Sequence, residues 1–336
     1  MKRLTPARLA AAGLLLLAVV ALILWLAPSD SYIFLPDRAH PVAPLVTVPG
    51  EKAPHDGGGI YYVDVLVRKA SWLERLFPSI REGATIVPSS VVQPPGVSEK
   101  ARHTEDLRAM SRSQEVAAAV ALRALGYKIA AHSTGVLIED VARDAPAAGK
   151  LLPTDVIVSA AGRRVRTTKD LRKILASRPA GATFRIGVRR GGSLTQVAVR
   201  TIADPREGGR PILGIFAGQA ATVRPPINVR INAGDVGGPS AGLAFALDIL
   251  EQLGRDVDHG RRVAATGEIE LDGTVAPIGG VEQKTIGVRK AGIHVFLVPA
   301  GENTAEARRY AHGVRIVPVQ NFQQALRALA TLAGPP

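Results

Sequence analysis

GDVGGPSAGLAFALDIL, residues 234–250, decides how the chain is read. It sets Ser240 between glycines, behind Pro239, at the mouth of a segment in which only Asp248 is charged. A helix that is apolar nearly all round belongs inside a core. A serine at its start is ordinarily a cap, because its oxygen satisfies the first free amides. Gly238-Pro239-Ser240-Ala241-Gly242 also satisfies G-x-S-x-G, the strand-to-helix elbow on which some hydrolases carry a nucleophile. That elbow needs an acid and then a histidine further along, for which His294 and His312 are the available residues. Within this stretch alone, cap and nucleophile stand equal.

Composition narrows the chemistry. The 336 residues suffice for about two domains. With 46% hydrophobic but only 4% aromatic residues, the cores are built from Val, Leu, Ile and Ala. The absence of cysteine excludes disulfides, thiolate metal sites, Fe–S clusters and a Cys nucleophile, so covalent chemistry falls to Ser, Thr or Lys. The formal charge is +13, and Arg163, Arg164, Arg166, Lys169, Arg172 and Lys173 cluster against Asp170 alone. No aromatics interleave with them as a stacking platform requires, so they read as a solvated face, or one resting near anionic lipid, and no nucleic-acid partner is expected.

Lys2, Arg3 and Arg8 precede an apolar or small stretch from Leu9 to Ala27, closed by Pro28. At 1.5 Å per residue it spans about 28 Å, close to the thickness of a bilayer core. It exceeds the usual apolar region of a signal peptide, and no A-x-A site follows. The expectation is an uncleaved, single-pass anchor with the basic flank cytoplasmic, Trp25 at the far interface and everything after Pro28 outside the cytoplasm.

Pro-rich residues 29–57 read as a linker. In GGGIYYVDVLVRKA, Tyr61, Val63, Val65 and Val67 alternate as in a strand. Ser111 to Leu125 reads as a helix with Ser111 and Gln114 spaced as a capping box and Gly126 as its stop. From about Tyr127 to Ala203, strands at TGVLIEDV, DVIVSAAG, TFRIGVRR and TQVAVRTI surround a helix at TKDLRKILASR. Later come strands at INVRIN, RVAATGEIEL, IHVFLVP and VRIVPV, and a final helix from Phe322 to Leu332.

The second chemical signal lies 44 residues after Ser240. In PIGGVEQKTIGVRKAGI a helix starting near Val281 puts Val281, Lys284, Val288 and Ala291 on one face, with Lys290 opposite and Ile286 off the pattern. A lysine on an inward stripe must pair with an acid, such as Glu268 or Glu270, or give up its proton. Deprotonated, it is a general base, which requires depressing its ordinary value by about three units, roughly 4 kcal/mol.

The module from 127 to 205, with GVLIEDV, APAAGKLLPTDVIVSAAGRRV and PAGATFRIGVRRGGSLTQVAV, resembles a PDZ domain of the kind attached to bacterial envelope proteases. Pro153-Thr154 stands where a glycine usually precedes the aspartate. The resemblance implies peptide capture by strand addition at Ser133 to Ile138, through Thr134, Gly135, Val136, Leu137 and Ile138.

GGPSAGLAFALDIL, TGEIELDGTVAPIGG and VEQKTIGVRKAGI together resemble the proteolytic domain of Lon-type proteases over about 100 residues, in order and at family spacing. The resemblance implies Ser240 as nucleophile, Lys284 as its base and Thr266 bonded to the lysine, with an oxyanion held by the amide of Ser240 and one from Gly237 or Gly238. An aspartate often stands in Lon where Gly237 stands here. Ile278 to Thr285 keeps Lys284-Thr285 but lacks the glycines of a phosphate loop, so no ATP is expected, and no cofactor or metal is expected either.

The whole resembles ATP-independent, membrane-anchored, Lon-like serine endopeptidases with a PDZ domain. That implies unfolded envelope or secreted polypeptides as substrates and a homo-oligomer, commonly six subunits. The expected fold is α+β: an anchor at 1–28, a linker at 29–57, the first part of a Lon-like α/β domain at 58–126, a small β-rich PDZ barrel with helices inserted at 127–205, and the proteolytic remainder at 206–336.

Overall fold

A computed structural model describes residues 6–50, 57–92, 99–142, 144–204, 208–224 and 226–332. Two compact units emerge, one from Met1–Val97 with Ser240–Pro336, the other from Ser98–Pro239. The second interrupts the first in sequence.

Along the chain the elements are α1 (Pro6–Leu26), β1 (Pro28–Pro36), β2 (His40–Pro41), β3 (Gly59–Tyr62), β4 (Val65–Ser71), α2 (Trp72–Leu76), β5 (Thr85–Pro88) and α3 (Glu99–Ala124). Then come β6 (Ala130–Val141), β7 (Val156–Ala160), α4 (Thr168–Leu175), β8 (Thr183–Arg190), β9 (Ser193–Arg200) and β10 (Ile215–Arg224). The last are α5 (Gly242–Gln252), β11 (Arg262–Ala265), α6 (Val281–Lys290), β12 (Val295–Pro299), α7 (Glu302–Tyr310), β13 (Arg315–Val319) and α8 (Phe322–Leu332).

The split unit is built on a five-stranded sheet in the order β2-β3-β11-β12-β13, parallel except for β2. Side chains alternate faces along a strand. Tyr61 packs with Val281, Val288, Phe296 and Ala307 on the face covered by α6 and α7. Tyr62, next in sequence, meets Phe245 of α5. Helices on opposite faces of a parallel sheet place their N-termini at the carboxyl ends of the strands, where such folds keep their sites.

Several sequence expectations change here. The linker is structured: β1 pairs with β4 and β5, and Tyr32 and Ile33 are buried. Residues 51–56 of that linker lie outside the described set. The single strand expected through Tyr61–Val67 is two strands in different sheets, β3 and β4, joined by Val63-Asp64. INVRIN contributes only Arg230–Ile231 as strand. The helix expected from Ser111 begins at Glu99, because Ser111 spends its hydroxyl on the Leu107 carbonyl inside the helix instead of capping it. Gly126 ends that helix in the left-handed region.

Among the described residues, no helix is long and apolar enough to cross a membrane. α1 lies where the spanning segment was expected, with side chains described from Ala10 onward. Lys2 and Arg3 of the basic flank lie outside the described residues.

In the inserted unit the strands run β9-β8-β7-β6-β10, with Arg163–Arg164 paired onto β7. Their core holds Val136, Ile138, Ile157, Phe184, Ile186 and Val199, closed by Leu171, Ile174 and Leu175 of α4. Thr167 caps α4 in a reciprocal box with Asp170. Thr154 has φ +68°, the left-handed conformation that explains the glycine usual at that place. The conformation turns the buried Asp155 carboxylate toward Arg190, which grips it with Nε at 2.8 Å and Nη2 at 2.7 Å.

Candidate active site

Ser240 stands two residues ahead of α5, whose N-cap is Ala241 with no side-chain cap bond. The serine hydroxyl therefore does not cap the helix. Ser240 is held through its backbone, its carbonyl accepting from the Gly267 amide at 2.8 Å and from Thr266 Oγ1 at 3.1 Å. Thr266 follows β11 directly, and its own amide donates to Leu297 of the neighbouring strand at 3.0 Å. The rigid sheet thus fixes both the threonine and the serine backbone.

Lys284 arrives from α6, which starts after Gly280 in a left-handed conformation at φ +69°. Val281 and Val288 bury on the sheet as expected. Ile286 is buried too, because α6 is sandwiched: its other side faces the strands around β1. There Gln283 Nε2 donates to the Gly83 carbonyl and to Thr85 Oγ1, both at 2.9 Å. Gly287 is required, since a Cβ there would strike the Asp37 carbonyl. Asn303 braces the loop ahead of the helix through the Ile278 amide and carbonyl.

Lys284 is 3% exposed. Its Nζ lies 2.6 Å from Ser240 Oγ and 3.2 Å from Thr266 Oγ1. The structure so brings together Ser240, Lys284 and Thr266, and the hydrogen-bond partners of the amine are hydroxyls. Burial pulls the Lys284 amine down to about 8, against a weaker upward pull from Asp64. The amine end of a helix adds to the same direction, since its dipole disfavours a cation. At pH 7 about a tenth of a base with that value is unprotonated. His294 and His312 are exposed, and the amine at Ser240 Oγ is that of Lys284.

The Ser240 amide has no hydrogen-bond partner among the described residues. Gly238, at φ +84°, donates its amide to the Asp106 carbonyl at 2.9 Å, which engages the donor suggested for an oxyanion. Gly237 packs on the same residue: a Cβ there would come 2.7 Å from Asp106 Cβ.

The residues expected to take a peptide lie inside the sheet. β6, which contains Thr134 to Ile138, is paired on both sides, with β7 through Val136 and Leu137 and with β10 along its length. An incoming strand has no edge there. The edge belongs to β10, and beside it a cavity of about 170 Å³ is lined by Leu171, Leu175 and Ala176 of the α4 region and by Leu213, Ile215 and Ala217. Of the five residues named from sequence, only Val136 lines it. Gly214 in the left-handed region at φ +73° was the available signal, marking the turn into β10.

Sequence reasoning also passed over Asp37, His40 and Asp64, whose side-chain oxygen and nitrogen atoms fall within 4.8 Å of one another. Burial and Asp37 raise Asp64, while His40 and Lys284 oppose that shift. Asp64 sat unnoticed at the outward position of a strand pattern. Glu251, in a second acidic group, accepts the amides of Val257 and Asp258 and braces a loop.

Comparison with known proteins assigns the two modules. Residues 222–331 match the Lon protease (S16) C-terminal proteolytic domain and residues 123–201 match a PDZ domain. Similar curated proteins include Lon protease 1 of Sorangium cellulosum, 38% identical over 112 residues, and Lon protease 2 of Bacillus subtilis, 36% identical over 101 residues; each alignment takes in 30% of this chain. The chain covers only 13% and 18% of those proteins. Among solved structures, the PDZ domain of the SdrC-like protein of Listeria monocytogenes is 26% identical, covering 25% of this chain and 87% of that one at a TM-score of 0.23. The proteolytic-domain match and the Lon protease relatives support a serine-type endopeptidase.

Proposed function

We propose that this protein hydrolyses peptide bonds of unfolded polypeptides with a Ser240–Lys284 dyad, independently of ATP. The observation that carries the proposal is the 2.6 Å approach of a buried lysine amine to the serine hydroxyl. In the neutral form, Lys284 Nζ takes the proton of Ser240 Oγ as that oxygen attacks the scissile carbonyl. Negative charge develops on the carbonyl oxygen, where the Ser240 amide and the N-terminus of α5 stabilise it. Collapse breaks the C–N bond, and the Lys284 ammonium gives its proton to the departing amine, leaving an acyl ester on Ser240. Neutral Lys284 then takes a proton from water, the hydroxide attacks the ester, and the proton returns to Ser240 Oγ. Thr266 keeps the amine aimed by accepting from Nζ while donating to the Ser240 carbonyl.

The inserted unit serves substrate capture or gating. Its apolar cavity beside the β10 edge suits an extended peptide that adds to the sheet and drops a hydrophobic side chain between β10 and α4. Attachment to a membrane, with the bulk of the chain outside the cytoplasm and envelope or secreted proteins as substrates, is supported by the exposed leucines of α1. It is supported further by Trp72, Leu76, Phe77 and Ile80, exposed close to α1 where Trp72 donates its amide to Ala27. Self-association into a ring is part of the same proposal.

Hydrolysis of a fluorescently labelled unfolded protein tests the dyad. Ser240→Ala and Lys284→Ala are each expected to lower the rate about 10⁴-fold or more with cooperative unfolding retained, and ATP is expected to change nothing. Full activity in either variant overturns the proposal.

A further inference from the structure

Asp64 lies in the two-residue link between β3 and β4, between Val63 and Val65. A Cβ on Gly287 would stand 3.1 Å from Val63 Cγ2, and one on Gly280 would stand 2.8 Å from Val65 Cγ2. The link therefore runs alongside α6 from Gly287 back to Gly280. Its midpoint, Asp64, comes level with Lys284, which lies between those two glycines on the helix.

Asp64 Oδ1 is sealed from solvent and accepts no hydrogen bond. Lys284 is sealed as well, and its close partners are two neutral hydroxyls. A half-buried carboxylate with one sealed oxygen and a buried amine favour each other's ionised form across the gap between them. Among the described residues, Asp64 is the carboxylate that acts on Lys284.

We infer that Asp64 is the positioning residue of the Lys284 base: its carboxylate faces the buried amine and holds it as an ammonium until the pH at which catalysis begins. The inference rests on the dyad proposed above. Asp37 and His40 regulate how much charge Asp64 presents. His40 Nε2 stands 3.4 Å from Asp37 Oδ2, and its ring packs 5.6 Å from that of Tyr62. Asp37 pushes Asp64 toward its neutral form and His40 toward its ionised form, while Tyr62 feels both carboxylates. From α5, which lays Phe245 on Tyr62, the nearest acid in the chain is Asp248, held by Gln252 at 2.6 Å. The loop at Asp37–His40, the link at Asp64 and α6 thus form one electrostatic unit behind the nucleophile.

The test is the pH dependence of kcat/KM in the full chain carrying Asp64→Asn, with Asp64→Glu as the conservative control. Removing the carboxylate lets Lys284 lose its proton at lower pH, so the midpoint of the rising limb moves down by about one unit, and Asp64→Glu restores most of it. A residue that only supports the fold would lower the rate at every pH and leave the midpoint in place, which overturns the inference. A second measurement needs no catalysis: titration of the Lys284 amine by NMR in Ser240→Ala, with and without Asp64→Asn. A midpoint unchanged by Asp64→Asn there also overturns it, even where the double variant is inert. Retained activity in Lys284→Ala would instead sink the dyad and leave the titration result standing.

Discussion

Lys284 Nζ donates to Ser240 Oγ at 2.6 Å from within a helix that is buried on both sides. The same distance serves the reverse transfer once the amine is neutral. Because burial brings the amine down to about 8, kcat/KM of the unmodified protein is expected to rise with pH through a midpoint near 8. A profile flat from pH 6 to 9 would refute Lys284 as the base.

The same burial has a cost in stability. Lysine loses its proton near 10.5 when unfolded and near 8 when folded. A group depressed on folding binds more protons in the unfolded chain between those values, so stability rises with pH across that window. Below pH 8 the folded protein carries a buried ammonium at a cost on the order of 3 kcal/mol. Lys284→Met is therefore expected to be inactive yet more stable at pH 7, with the advantage in Tm shrinking as pH climbs from 8 toward 10.5.

Thr266→Val keeps the shape of the side chain and removes both of its hydrogen bonds, to Nζ and to the Ser240 carbonyl. The buried partners then lose about 1 kcal/mol of stabilisation. A fall of roughly tenfold in kcat, the equivalent of about 1.4 kcal/mol of lost positioning, is expected with little change in KM. Equal kcat in the variant would remove Thr266 from the site.

In the inserted unit, Ala176 is exposed at the cavity and Ser133 is exposed on β6. Ala176→Trp fills the cavity and should weaken binding of an extended peptide about tenfold or more, whereas Ser133→Trp should not. Fluorescence polarisation with a peptide selected on the full chain separates them. The opposite ranking would return the binding edge to β6.

The chain has two tryptophans, so Trp25→Phe leaves Trp72 as the only indole. Trp72 is 40% exposed, with Arg75 stacked 5.0 Å over its ring. On addition of anionic vesicles its emission should shift to the blue and be quenched by brominated lipid. Unchanged emission would argue that a protein surface covers this patch.

The pairing of Ser240 with Lys284 was legible because a lysine interrupted an apolar stripe and a serine sat among glycines, both local signals. What stayed hidden was non-local. Nothing in VDV says that the strand breaks at Val63-Asp64 and that the two halves join different sheets, since the break is imposed by α6 pressing on both valines. β10 was unreadable for a similar reason: it joins β6 after more than seventy intervening residues, and IFAGQAATVR has no alternation to announce it. Ser111 misled because a hydroxyl inside a helix and one at its cap look alike in sequence, and only the upstream turns of α3 tell them apart.

The sheet that carries the site is completed across a long interval of chain. β3 at Gly59–Tyr62 waits for its parallel partner Arg262–Ala265, which is made only after the whole inserted unit. Thr266 extends from that late strand, and Lys284 comes later still. During synthesis the inserted unit has all of its residues before the split unit does, and the hydroxyl, the threonine and the amine cannot meet until Lys284 has emerged. The order of the elements thus delays the assembly of the site until segments on both sides of the inserted unit have been made.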